Sequence, residues 1–323
     1  MNLLISIPGF PAHGGIRVLI EIANRLTKWH NVTIYSLNGM AGKEYWNIDP
    51  KVQVLSEVNL SDYDTLLIGS PHTIHLEDSF KGKVVIHLQM LENMFVPFDK
   101  QWQKQCLKTY RSQNDLLSIS EWNMVELHNK YGRTAKTVYI GNGINYDDFH
   151  IKFSQKDFKT VLVEGWNAGN PTKDTDNICP KVALRLKREG YKIITYGREK
   201  PKVLSYVPDE YYISPSLEKL NELYSRSTIL LKASKYDARS CSPMEAMTKG
   251  TVTARAIIKG DDDLIGSVNC LKVNYSEAEL YKAAKSLLTN QDLFHQLQQG
   301  CKDALEYNNW DKRIEDINKW LVN

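Results

Sequence analysis

Short apolar runs separated by amphipathic stretches set the rhythm of the chain. Runs at residues 3–7, 31–37, 52–55, 65–70, 83–88, 116–120 and 137–140 read as strands. Between them, residues 16–29 place Val18, Leu19, Ile22, Ala23 and Leu26 on one helical face. Residues 100–113 and 121–131 give two further helices, and Asn142-Gly143 closes the series as a turn. The polar stretch 153–158 has no period and reads as a linker, after which the alternation restarts. Strands are predicted at 159–163, 192–196, 228–233, 251–256 and 270–273. Helices are predicted at 178–188, 217–226 (with Ser216 as N-cap), 277–288, 291–305 and 311–321. Strand-then-helix alternation predicts an α/β fold of parallel sheets covered by helices on both faces. Its restart predicts two Rossmann-like domains, 1–152 and 153–305, with sheets facing a central cleft, followed by a last helical segment, 306–323.

One stretch concentrates polar chemistry behind an apolar run. The predicted strand 228–233 leads into a polar loop carrying Asp237, and Ser242-Pro243 then suits the N-cap and first position of a helix ending at Gly250. Asp237 and Glu245, with seven residues between them, flank that helix start, where unpaired N–H groups favour phosphate. Ser242 and Glu245 also have capping-box spacing, so the pattern alone leaves Glu245 open between cap and ligand.

Composition narrows the class. Of the 323 residues, 42% are hydrophobic and 24% charged, values of ordinary globular chains. Net charge is +3, but residues 1–150 hold 14 basic and 15 acidic residues against 27 and 23 in the remainder. The positive excess therefore lies in the half with the candidate phosphate site, and the first half lacks the basic footprint of a nucleic-acid binder. Five scattered cysteines without a Cys-x-x-Cys pair argue against a zinc site and a disulfide framework and fit a reducing, cytoplasmic setting. The N-terminus reads as a strand rather than a signal peptide, and no apolar run reaches membrane-spanning length. The apolar loop 90–98 is the one candidate for membrane or acceptor contact, with nothing further to support the membrane. No Gly-x-Gly-x-x-Gly follows a strand, so no nicotinamide cofactor is expected.

Several motifs follow in order: Gly14-Gly15 after the first strand, Ser120 ending the sixth, Gly141-Asn142-Gly143-Ile144-Asn145, Asp237-x7-Glu245, Glu245-Ala246-Met247-Thr248-Lys249-Gly250-Thr251-Val252-Thr253, Lys259-Gly260-Asp261-Asp262-Asp263 and Asn269-Cys270-Leu271. In this order they resemble retaining glycosyltransferase family 4, with Asp237-x7-Glu245 standing for the family's Glu-x7-Glu. The resemblance implies the GT-B architecture, in which the last helix, 306–323, returns to the first domain. The resemblance implies transfer of a hexose-type sugar from a nucleotide diphosphate sugar to a carbohydrate or glycoconjugate acceptor with retained configuration, without a metal or other cofactor. It implies catalytic roles for Asp237, Glu245 and the strand-end His87. It implies donor contacts from Gly14, Gly15, Lys173, Ala238, Arg239, Ser240 and Asp263. Two departures stand out: the first motif acid is Asp, one methylene short, and the family's Gly-Arg is Gly165-Trp166, with Arg198 as the candidate replacement. A catalytically inactive nucleotide-sugar-binding scaffold and a GT-B-like epimerase are the alternatives.

Overall fold

A computed structural model describes residues 1–11, 14–94, 98–165, 178–197, 207–262, 264 and 266–322. The chain forms two compact units, Met1–Gly143 with Trp310–Asn323, and Ile144–Asn309.

In the first unit, β1 (Asn2–Ile7), α1 (Gly14–Leu26), β2 (Asn31–Ser36), β3 (Gln53–Leu55), β4 (Thr65–Ile68), β5 (Lys83–Leu88), α2 (Lys100–Arg111), β6 (Asp115–Ser118), α3 (Glu121–Tyr131) and β7 (Thr137–Tyr139) follow in turn. The strands form one parallel sheet in the order β3-β2-β1-β4-β5-β6-β7. Successive side chains of a strand point to opposite faces. Leu3, Ile5 and Ile7 therefore join α1 in one core, while Leu4, Leu66 and Ile68 join Leu127 and Tyr131 of α3 in the other.

In the second unit, β8 (Thr160–Glu164), α4 (Ile178–Arg188), β9 (Lys192–Gly197), β10 (Glu210–Ile213), α5 (Leu217–Arg226), β11 (Ile229–Asp237), α6 (Cys241–Met247), β12 (Val252–Gly260), β13 (Cys270–Val273), α7 (Glu277–Thr289) and α8 (Gln291–Tyr307) build a parallel sheet ordered β10-β9-β8-β11-β12-β13. Ser216 caps α5 as predicted, accepting from the Lys219 N–H at 3.2 Å. The last helix, α9 (Trp310–Val322), packs Trp310, Ile314, Ile317 and Leu321 into the α1-side core of the first unit. It lies so close to the Asn142-Gly143 turn that a Cβ at Gly143 would collide with Trp310.

Three elements differ from the sequence pattern. β10 has no apolar run to announce it and exists through its ladder with β9. β11 does not stop at Ala233: residues 234–237, read as a loop, continue the ladder to Asp237↔Gly260. They are polar because this strand end faces a polar site rather than helices. α6 begins at Cys241, two residues before Pro243, so Ser240 is the N-cap. The stretch 153–158 packs Phe153 and Phe158 on the second unit's core. Among the described residues, no helix is long and apolar enough to cross a membrane.

Candidate active site

Both sheets reverse their strand order once, between β1 and β4 and between β8 and β11. Doubly wound sheets bind ligands beyond the carboxyl ends of their strands at such a reversal. In the second unit this point holds Glu164 at the end of β8, the long polar end of β11, and α6.

Glu245 sits in α6 and is buried. Its Oε2 accepts a hydrogen bond from the Tyr224 hydroxyl of α5 at 3.0 Å, and Tyr224 lies 3.2 Å from the hydroxyl of Tyr196 at the end of β9. Burial pushes both phenols well above their ordinary range, so they remain hydrogen-bond donors. The capping-box reading does not hold. Ser242 lies inside the helix, donates to Glu164 and accepts from Lys232 Nζ at 2.9 Å. Lys232, itself buried on β11, is ion-paired with Glu164.

Asp237, at the end of β11, is the second buried carboxylate. Its Oδ2 accepts from the Ser240 hydroxyl at 2.7 Å and lies 3.4 Å from Nη2 of Arg255 on β12. Asp261 follows β12 and is ion-paired with the same Arg255. Its Oδ1 accepts from the Ser240 backbone N–H at 2.7 Å. Burial raises the Asp261 carboxyl above its ordinary value; Arg255 pulls it down and neighbouring Asp237 pushes it up again. Asp261 is thus engaged internally.

The structure gathers Asp237, Ala238, Arg239, Ser240 and Glu245 around one strand end, all of them buried. Arg239 turns its Nη2 to Asn308 at 2.7 Å. Lys173, Arg198 and Asp263, and with them Trp166, lie outside the described residues. The members Lys232, Arg255, Glu164 and Tyr224 were not picked out from the sequence, where Asp261 figured only as part of the Lys259-Gly260-Asp261-Asp262-Asp263 motif. A signal for two of them was present: Lys232 and Arg255 each interrupt an apolar strand, and a cation there needs a buried partner.

In the first unit, Gly14 and Gly15 open α1, directly beyond β1. Gln89, just past β5, donates from Nε2 to the Gly15 carbonyl at 3.0 Å. His87, on the same side of that strand by alternation, is 2% exposed, and neither ring nitrogen has a hydrogen-bond partner among the described residues. Burial lowers it to about 4, so the ring is neutral at pH 7, with one donor and one acceptor to offer. His72, also in the first unit, packs against Trp102 with ring centroids 4.2 Å apart and meets Ser70 Oγ at 3.1 Å.

No family model and no curated protein matches the chain. Solved structures match it over its full length. HepE of Anabaena, determined with UDP-glucose, superposes with a TM-score of 0.77 at 13% identity, covering 100% of this chain and 99% of its own. Sucrose-phosphate synthase of Thermosynechococcus elongatus gives 0.78 at 14% identity over 98% and 97%. A glycosyltransferase of Rickettsia africae gives 0.72 at 14% identity over 99% and 97%. The fold of two parallel-sheet Rossmann-like units is therefore that of the GT-B glycosyltransferases.

Proposed function

We propose that the chain is a retaining glycosyltransferase of the family 4 type, moving a hexose-type sugar from a nucleotide diphosphate sugar to an acceptor hydroxyl. In this reading the second unit, Ile144–Asn309, holds the donor and the first unit selects the acceptor. The observation that carries it is the pair of buried carboxylates, Asp237 and Glu245, braced separately at the strand-order reversal of a GT-B unit. A carboxylate is desolvated at a cost that structure alone seldom justifies, and two of them at a ligand-binding strand end suit a polyhydroxylated substrate. The GT-B structures that superpose include one holding UDP-glucose, which supports the choice of donor class.

The chemistry follows from the groups. As the anomeric bond breaks, negative charge builds on the diphosphate and positive charge on the anomeric carbon. Glu245, held from below by Tyr224, is suited to accept hydrogen bonds from donor hydroxyls, most naturally those of the ribose. Asp237 is suited to sugar hydroxyls and to the developing positive charge. Neutral His87 is suited to a sugar hydroxyl from the first unit, since its two open hydrogen-bonding positions are otherwise a net cost. Lys173 and Arg198 are the proposed cations for the diphosphate. The departing diphosphate guides the acceptor oxygen to the same face of the anomeric carbon and takes its proton as the new C–O bond forms and the C–O bond to phosphate breaks, so no protein nucleophile is needed. Five free thiols, four of them buried, fit a cytoplasmic enzyme.

The test incubates the protein with radiolabelled nucleotide sugars, with and without sugar acceptors, in the presence of EDTA. Donor turnover that persists with EDTA is expected, and Glu245→Gln should retain the fold with activity below about 1% of wild type. Binding without turnover of every donor would make the chain a scaffold instead, and undiminished activity in Glu245→Gln would remove that residue from the site.

A further inference from the structure

A buried arginine lies directly behind Asp237. Interior strands of a doubly wound sheet are ordinarily aliphatic, because helices cover both faces. Here the ladder sets Lys232 of β11, Arg255 of β12 and Lys272 of β13 side by side. Arg255 is 0% exposed, so it touches no ligand directly. A guanidinium so placed demands carboxylates and acceptors. It has Asp261 in an ion pair, Asp237 Oδ2 at 3.4 Å, Ser234 Oγ at 3.3 Å and Ser240 Oγ at 3.4 Å. Asp261 and Asp237 together raise its affinity for the proton, against burial, which lowers it.

The backbone is shaped around the same contact. Gly260 has φ +98° and Asp261 φ +53°, and left-handed backbone at a non-glycine residue persists only where surrounding contacts hold it. The Asp261 N–H donates to the Asp237 carbonyl at 2.8 Å, and a Cβ at Gly260 would collide with that oxygen. Lys272 Nζ donates to the carbonyls of Gly260 and Asp261 at 2.8 and 3.0 Å and pins the turn. Ser240 joins the two acids: its hydroxyl is 2.7 Å from Asp237 Oδ2 and 3.0 Å from Asp261 Oδ2, with a single proton to give.

We propose that Arg255 and Asp261 are positioning residues that hold the Asp237 carboxylate in its working direction, an inference that rests on the donor-site reading above. An aspartate is a short acid, and the arginine–aspartate pair behind it gives its carboxylate a set position.

The test uses the full chain with UDP-glucose as probe. Aspartate is labelled with 13C at Cγ, and the Asp237 signal is the one absent from Asp237→Asn. Among the described residues, Arg255 lies against Asp237 and Asp261 shares that arginine with it; Lys232, which acts on Asp261, and Lys272, which holds the turn after β12, stay in every variant. The Asp237 midpoint should rise by about one pH unit or more in Arg255→Gln and fall in Asp261→Asn, because charges of opposite sign are removed from beside one carboxylate. Arg255→Lys should restore most of the midpoint. Turnover of UDP-glucose should drop in kcat by about 100-fold in Arg255→Gln, with KM nearly unchanged and partial recovery in Arg255→Lys. Shifts of the same sign, or none, in folded variants would overturn the proposal, as would wild-type kcat in folded Arg255→Gln, the result for an arginine with only a structural role. Should Arg255→Gln not fold, Arg255→Met with Asp261→Asn removes both charges together. That double variant is expected to lose kcat, and wild-type kcat in it would equally overturn the strut. If the wild-type protein turns over no nucleotide sugar, the functional reading fails, and the two single-variant titrations still decide the strut.

Discussion

Glu245 owes its direction to a tyrosine 21 residues earlier in the chain. Removing that hydroxyl in Tyr224→Phe leaves a buried carboxylate one donor short, a loss of about 1.5–3 kcal/mol for a hydrogen bond to a charged group. Weaker UDP-glucose binding is expected, by about tenfold or more, measurable by calorimetry. His87 makes a pH prediction. Its value falls from 6.5 to about 4 on folding through burial, so the unfolded chain takes up the proton first as pH drops. Its contribution to stability is whole above pH 6.5 and is lost progressively down to pH 4. Urea unfolding across that window should show an acid limb shallower in His87→Gln than in wild type, by up to about 1.4 kcal/mol per pH unit. Parallel limbs would mean that His87 is solvated or partnered in solution.

At the scale of elements, the site is made by strands that outlast their apolar cores. β11 and β12 run in register to Asp237 and Gly260, well past the last apolar residues of the predicted strand. Polar pairing at a strand end is held by the ion pairs across it, so the acids stabilise the strands that present them. Gly260→Ala tests this, because its φ of +98° and the Asp237 carbonyl both exclude a Cβ. A loss above about 2 kcal/mol in urea unfolding is expected, against about 0.5–1 kcal/mol gained where alanine is compatible. α9 is the other decisive element. Trp310, 2% exposed, is locked over Gly143, and Trp310→Ala should cost about 3–5 kcal/mol. Circular dichroism during denaturation would show whether the first unit alone loses that stability.

The whole molecule repeats one architectural solution twice, each unit with its own core and its own reversal of strand order. If the second unit binds the donor, UDP-glucose should stabilise it by mass action, about 2.7 kcal/mol at a hundredfold excess over Kd. Hydrogen exchange on the full chain should then show new protection in β11, α6 and the turn after β12. Protection confined to the first unit would reverse the assignment of donor and acceptor.

The α/β alternation, its restart after residue 158 and the stretch carrying Asp237 and Glu245 were legible in the sequence. They depend on local period, on turn residues and on the order of short motifs, all of which act over a few residues. Strand order was not legible, nor was β10, whose Glu210-Tyr211-Tyr212-Ile213 becomes a strand only beside β9. The start of α6 moved by two residues because Ser242 found Glu164 and Lys232, partners far away in the chain. Arg255 shows the division most plainly. Its presence in an apolar run announced that a buried partner must exist. Only the tertiary structure could name Asp261 and Asp237, because burial and pairing of charge are decided by which strands lie side by side.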